Sequence, residues 1–438
     1  MSTVNVSTPS ESWKRVLLPW VVCFSASLFF AYELLQLHVM NAISPLLMRD
    51  LGLHATQFGT LSATYLLADV IFLLPAGIIL DRFSVRKVII TALLLCILGT
   101  LGFSRAESLG FACVCHFLSG IGNAFCFLSC MMLISRWFPK EKRAFMMGLM
   151  VTMGMFGGMV AQLPFSLLAE RFSWRGALFI DALIGLGVLV LITVFVKDAP
   201  KGMTAFEKNK TSIPFWEGIK RSILNLNNVC CGIYTGLMNL PLMIISAVWG
   251  TLFLTQIHHV SLAKSSFIVS MICMGTIVGS PIYGWLSDRF KRRLLLMVLG
   301  GILSLGVMLS IMLSIDLTEG AFIILFFLLG LFTSSQVLGY SAIAENSPQE
   351  LTGTSMGISA LIIMGLPAVI QPLSGKLLDW RWDGVLVDGT PLYAWSDFMI
   401  AFSIFPLGFL ISLFVLFKVK EVGKTSSYQE VDLRTTET

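Results

Sequence analysis

Two carboxylates and a histidine stand where a long apolar chain has least use for charge. Glu33 lies in FAYELLQLHVMN (30–41), Asp69 in ATYLLADVIF (63–72) and His116 in HFLSGIGNAF (116–125). A bare charge in hydrocarbon costs about 2.5 kcal/mol or more. Residues of this type are tolerated there when they take up and release a proton, pair with a charged solute, or are held for good in a hydrogen-bonded interior. Helical spacing puts Glu33 and Gln36 on one face, with Tyr32 beside Glu33 and His38 and Asn41 on a rotated face. Asp69 follows Tyr65 by one turn and should neighbour Glu33 across a short connection. Two carboxyls at close range cannot both ionise cheaply, so Glu33 and Asp69 are candidates to share a proton. Asp69 is equally a candidate for a gating network. Asp181 falls about two turns from the end of its segment, where a hydrated or capping role is as good a reading as chemistry.

The elements that position these groups are legible in the composition. Of 438 residues, 56% are hydrophobic and 13% charged, and apolar runs recur along almost the whole length, which excludes a soluble domain. Each run is long enough to cross a hydrocarbon core roughly 30 Å thick. Twelve helices are expected, near 17–44, 55–80, 88–104, 109–136, 143–168, 175–196, 229–256, 262–287, 294–314, 320–345, 353–379 and 393–418. The first is too long for a cleaved signal peptide and stays as a span. With the N-terminus inside, 23 of the 30 Lys and Arg fall on the inner side, so both termini are expected in the cytoplasm. The net charge of +5 is thereby topology rather than a sign of nucleic-acid binding. All nine cysteines fall inside expected helices, which argues against a disulfide framework. Cys126 and Cys130 are one turn apart, but no His or carboxylate converges on them, and no metal is expected.

The chain repeats itself. GIILDRFSVRK (77–87) returns as GWLSDRFKRR (284–293), with Asp81 and Asp288 separated by 207 residues. Between the copies lies one long polar connection. The expected organisation is a tail (1–16), a six-helix bundle (17–196), a linker (197–228), a second bundle (229–418) and a tail (419–438). Paired bundles of this kind suggest a pseudo-symmetric carrier with its site between them, near the membrane midplane.

Gly77, Asp81, Arg82, Arg86 and Lys87 resemble the signature of the major facilitator superfamily between helices 2 and 3, with Ser84 where a glycine is usual. Gly284, Asp288, Arg289, Arg292 and Arg293 resemble its degenerate copy, and WFPKEKRAFMMG (137–148) and WRGALF (174–179) its continuations. The resemblance implies an all-α membrane protein of two six-helix bundles, in which these loops latch neighbouring helix ends when the carrier faces outward. Asp81 would then accept charge-assisted bonds from Arg82, Arg86 or a helix N-terminus, and Asp288 would do likewise. It further implies that helices 1, 4, 7 and 10 line the cleft, which makes Glu33 cleft-facing and Asn239 and Gln336 substrate-site candidates. Interhelical hydrogen bonding is the competing reading for these two and for Gln256 and Gln371. His116 occupies a position often held by an arginine that controls a neighbouring carboxylate, a task a protonatable histidine can perform. Helix 1 also resembles that of bacterial nutrient carriers of the phagosomal-transporter type, which take up amino acids or nucleosides.

The expected function is secondary active transport by alternating access in a bacterial inner membrane. Within it, proton-coupled import of a small polar or zwitterionic solute (amino acid, short peptide or nucleoside) leads, with sodium as the alternative ion. The alternative is a proton-exchange exporter of a drug-like compound or siderophore; MGMFGGMVAQLP (153–164) lacks the proline-containing signature of many exporters. A transport-dead sensor ranks below both. Glycines on helix 5 read as close-approach positions and Pro367 and Pro372 as kinks. No nucleophile elbow, phosphate loop or zinc motif is present, so no enzyme, no cofactor and no ATP-driven pumping is expected. The protein is expected to work as a monomer in the bilayer.

Overall fold

The computed structural model describes residues 9–200, 215–313, 317–347, 351–387 and 389–419. Residues 1–8, 201–214 and 420–438 of the expected tails and linker lie outside these, whereas residues 9–16, expected as tail, extend α1. The first half comprises α1 (Pro9–Leu51), α2 (Ala55–Arg82), α3 (Val85–Phe103), α4 (Leu109–Trp137), α5 (Lys140–Val160) and α6 (Leu163–Phe195). After a short helix α7 (Phe215–Leu224) come α8 (Leu226–Leu240), a π-helical segment (Pro241–Trp249) and α9 (Gly250–Ile257), which together form one span. Then follow α10 (Leu262–Phe290), α11 (Arg293–Leu313), α12 (Glu319–Thr333) and α13 (Val337–Asn346) joined by a 3₁₀ turn at Ser334–Gln336, α14 (Thr352–Trp380), and α15 (Trp395–Phe402) and α16 (Ile404–Leu416).

Eleven stretches of the described residues are long and apolar enough to cross a membrane, and one of them, Phe145–Phe195, folds back on itself. Gly154, Gly157 and Gln162 meet Phe30, Ala31 and Asn41 of α1 in the same order, so this part runs parallel to α1. Trp174, Asp181 and Gly185 meet Asp50, Gln36 and Tyr32 in reverse order. The turn is at Ser173, whose φ of 64° and ψ of 166° leave the helical region. Twelve crossings result. The helix boundaries differ from expectation where packing overrides local signals: α1 continues through Pro45 to Leu51, and Pro367 and Pro372 leave α14 unbroken. A proline costs a helix one hydrogen bond, which neighbouring spans offset in a membrane.

In the first half α2 packs on α4 and α3 on both α4 and α6; in the second, α10 packs on α12 and α8 on both α14 and α16. Glycines set the closest approaches. A Cβ on Gly120 of α4 would strike the backbone of α2 at Tyr65, and one on Gly330 of α12 would strike the backbone of α10 at Ile272. Tyr65 and Ile272 are 207 residues apart, the same interval as the repeated DRF motifs. The sequence repeat is therefore also a repeat of helix packing. Across the halves, α2 packs on α14, α5 on α10, and α1 on the π segment.

Candidate transport site

The rotation of α1 about its own axis decides where its polar residues go. Glu33 does not face the cleft. It is fully buried inside the first half, where its Oε2 accepts from the Tyr65 hydroxyl of α2 at 2.7 Å. The same hydroxyl reaches the Glu33 carbonyl at 2.9 Å. Oε1 has no partner and lies against Gly122 of α4, so close that a side chain there would collide with it. The face of α1 turned to the other half carries Asn41 instead, because the Glu33 face is taken by α2 and α4.

Asp181 is also fully buried, which replaces the expected hydrated or capping position with an interior one. Although only two turns from Ser173, it is covered by α1 and α3. Its Oδ2 accepts from Gln36 Nε2, and its Oδ1 has no partner. The Gln36 Oε1 accepts from Thr100 of α3 at 3.3 Å, and the Tyr32 hydroxyl donates to the Asp181 carbonyl at 3.3 Å. Glu33 and Gln36, one turn apart on α1, thus belong to two buried carboxyl pairings, Glu33 with Tyr65 and Gln36 with Asp181. Asp69 sits next to Asn123 of α4. It is 3% exposed, and neither of its oxygens is among the sealed, unpartnered atoms. His116 stacks between Tyr65 (centroids 5.3 Å apart) and Phe103 (5.4 Å). Tyr65 consequently touches both Glu33 and His116.

Among the described residues, no Lys or Arg shares this interior. Among the described residues, the Lys and Arg lie in connections, within about two turns of a helix end, or beside the Ser173 turn. An isolated buried charge costs several kcal/mol, so three carboxyls without a cation must rely on hydrogen bonds and on one another. Among the described residues no three His, Cys, Asp or Glu converge as metal ligands. The second half contributes neutral groups. Asn239 and Gln336 are 5% and 8% exposed, and among the described residues their side chains have no hydrogen-bond partner. Gln371 and Gln256 do act between helices: Gln371 donates to the Met243 carbonyl in the π segment at 2.8 Å, and Gln256 to the Pro391 carbonyl at 2.8 Å.

The motif loops are paired differently from expectation. The Asp81 side chain lies outside the described residues. The Arg86 guanidinium donates to the Thr193 carbonyl at 2.5 Å, and its backbone N–H to Asp198 at 2.9 Å. Ser84 is the N-cap of α3, accepting from the Lys87 N–H and donating to Asp198 at 2.6 Å. The departure from glycine here creates a cap that glycine cannot provide. Arg82 and Asp288, Arg289 and Arg292 are exposed. In the second copy it is Arg293 that is engaged, 2.5 Å from Glu345 and bonded to Ser287 at 3.2 Å. Gly77 and Gly284 face open space. Cross-half hydrogen bonds gather at the opposite end: Asn41 to Thr251 at 2.7 Å, Gln162 to the Ser246 carbonyl at 2.7 Å, and Ala55 and Thr56 to Asp379. Sequence reading missed Asp198, Gln162, Thr251 and Asp379. The partners just named for them are 84 or more residues away, and Gln162, beside the helix 5 glycines, carried a local hint as a polar residue within a span.

The profile of the Major Facilitator Superfamily matches residues 20–372. A probable hexose phosphate transport protein of Chlamydia muridarum is 24% identical over 87% of this chain and 90% of its own. The membrane sensor protein UhpC of Salmonella typhimurium is 22% identical over 85% of this chain and 87% of its own. The crystal structure of a D-xylose–proton symporter superposes with a TM-score of 0.73 at 15% identity, covering 93% of this chain and 99% of that one. Two packing-equivalent halves and a profile match over most of the length agree, and the chain belongs to the Major Facilitator Superfamily: it is a multi-pass membrane transporter, a member of a family of membrane transporters and not of enzymes.

Proposed function

We propose that this transporter imports a small polar solute that is uncharged or bears an amine, and couples its movement to protons carried on the first-half carboxyls. The carrying observation is three buried carboxyls, Glu33, Asp69 and Asp181, in spans whose Lys and Arg lie toward their ends or beside the Ser173 turn. A phosphate dianion taken out of water calls for guanidinium, ammonium or clustered N–H donors. The walls here offer carboxyl, amide and hydroxyl groups, which suit hydroxyls and amines. In this reading Asp69 with Asn123 on the first half, and Asn239 and Gln336 on the second, meet the solute, and Glu33 with Tyr65 and His116, and Asp181 with Gln36, hold protons. Asp198, Arg86 and the Arg293–Glu345 pair stiffen each half near its motif loop. The surplus of Lys and Arg on one side supports insertion in a bacterial inner membrane with both termini in the cytoplasm; we take the monomer as the working unit.

The relatives' names favour a second reading, a carrier or sensor of hexose phosphate. Uptake into proteoliposomes with an imposed pH gradient separates the two. The panel would hold amino acids, nucleosides, neutral sugars and hexose 6-phosphate, assayed with the native protein, Asp69→Asn and Glu33→Gln. Gradient-driven accumulation of an amine or neutral solute, lost in Asp69→Asn and no longer pH-dependent in Glu33→Gln, is the expected result. Accumulation of hexose 6-phosphate alone would replace this reading with the second. Binding of it without flux would make the chain a sensor.

A further inference from the structure

The end of the molecule opposite the motif loops is held by a side chain that makes little sense within its own helix. Asp379 lies one residue before the end of α14, a helix with no basic residue in its last turn. A carboxylate there adds negative charge to the negative pole of the helix dipole. It is placed instead at the positive pole of a helix in the other half. Asp379 accepts from the Ala55 N–H at 3.1 Å, the Thr56 N–H at 2.7 Å and the Thr56 hydroxyl at 2.5 Å, and so caps α2. The residue at the N-cap of α2, His54, makes no side-chain cap bond.

Tyr393 completes the arrangement. Its hydroxyl accepts from the Ala55 N–H at 2.8 Å and donates to Asp379 at 2.7 Å. Burial and the Asp379 carboxylate both raise its pKa, so the hydroxyl stays a donor. Tyr393 is fixed within the second half, where its own N–H donates to Gln256 at 3.2 Å and its ring contacts Trp382 and Phe398. Acceptor and relay therefore belong to one half and the capped helix end to the other. Two glycines bring the backbones together. A Cβ on Gly59 of α2 would lie 2.7 Å from the Gln371 carbonyl, and one on Gly375 of α14 would collide with the Ala55 carbonyl.

We infer that Asp379 and Tyr393 form a preformed socket in the second half that holds the N-terminus of α2 and keeps this end of the carrier closed. Opening at this end withdraws α2 and leaves its first N–H groups to water, while the socket stays assembled. Asp379 is a positioning residue: it touches no solute and acts by setting how the halves populate their two arrangements.

Distances between spin labels test this directly. Labels on p-acetylphenylalanine at Phe111 and Leu313 report on the socket end, and at Phe145 and Trp285 on the other, leaving the nine cysteines in place. All four positions are exposed. In Asp379→Ala and in Tyr393→Phe the first pair should gain a longer-distance population, with the open-to-closed ratio rising about fivefold, and the second pair should shorten in step. Tyr393→Phe and Thr56→Val each delete a single oxygen or exchange one hydroxyl for a methyl, and decide the matter if Asp379→Ala fails to fold. Lower thermal stability with unchanged distances in these variants would show a static contact and overturn the inference.

Discussion

Deleting the Tyr65 hydroxyl isolates the bond that holds Glu33. Tyr65→Phe keeps the ring that stacks on His116 and removes one oxygen, which donates to Glu33 Oε2 and to the Glu33 carbonyl. Oε1 has no strong partner, so the variant leaves the carboxyl with at most the weak thiol of Cys96 beside it in a fully buried site. A buried polar group stripped of its partner costs about 1–3 kcal/mol, more when charged. The loss should fall near the top of that range, at about 2–3 kcal/mol. Reversible unfolding titrations in mixed micelles, on the native protein, Tyr65→Phe, Glu33→Met and the double variant, measure it. The Glu33→Met background keeps the backbone carbonyl, so the cycle reports the side-chain bond alone. A coupling of about 1–2 kcal/mol is expected for this contact. Additivity to within about 0.3 kcal/mol would refute the account, since two groups in a sealed hydrogen bond cannot be energetically independent.

The repeat-related glycines make a matched pair. Gly120→Ala and Gly330→Ala each push a methyl group into the backbone of the facing helix and should destabilise by about 1–3 kcal/mol or more, whereas Gly148→Ala, which meets open space inside α5, should be neutral or stabilising; thermal denaturation monitored by fluorescence ranks the three. Asp198→Ala removes the acceptor for Ser84 and for the Arg86 N–H, and should cost about 1 kcal/mol and speed hydrogen exchange at the first turn of α3, with α11 unchanged.

Residues that announced themselves did so through local rules. The twelve spans follow from runs of apolar residues longer than a bilayer is thick, and the DRF repeat located the two halves. The Gly120–Tyr65 and Gly330–Ile272 contacts show that the packing repeats with it. Glu33 was recognisable as a buried carboxyl, since an isolated charged letter inside an apolar run is rare. Its direction was not. One turn of a helix wheel separates the cleft face from the interior, and all-round hydrophobicity leaves the wheel without a marked face. The same ambiguity hid Asp181, whose two-turn distance from Ser173 says nothing about whether α1 covers it.

Sequence alone determined the membrane class, the number of crossings, the twofold repeat and the identity of the buried polar groups, because spanning length and charge exclusion act residue by residue. Tertiary structure decided the partnerships. Tyr65 meets Glu33 over 32 residues, Gln36 meets Asp181 over 145, and Asp379 meets Thr56 over 323. Such pairings depend on helix rotation, tilt and axial register, which are set jointly by every glycine contact and crossing in the bundle. No local stretch of chain carries that information.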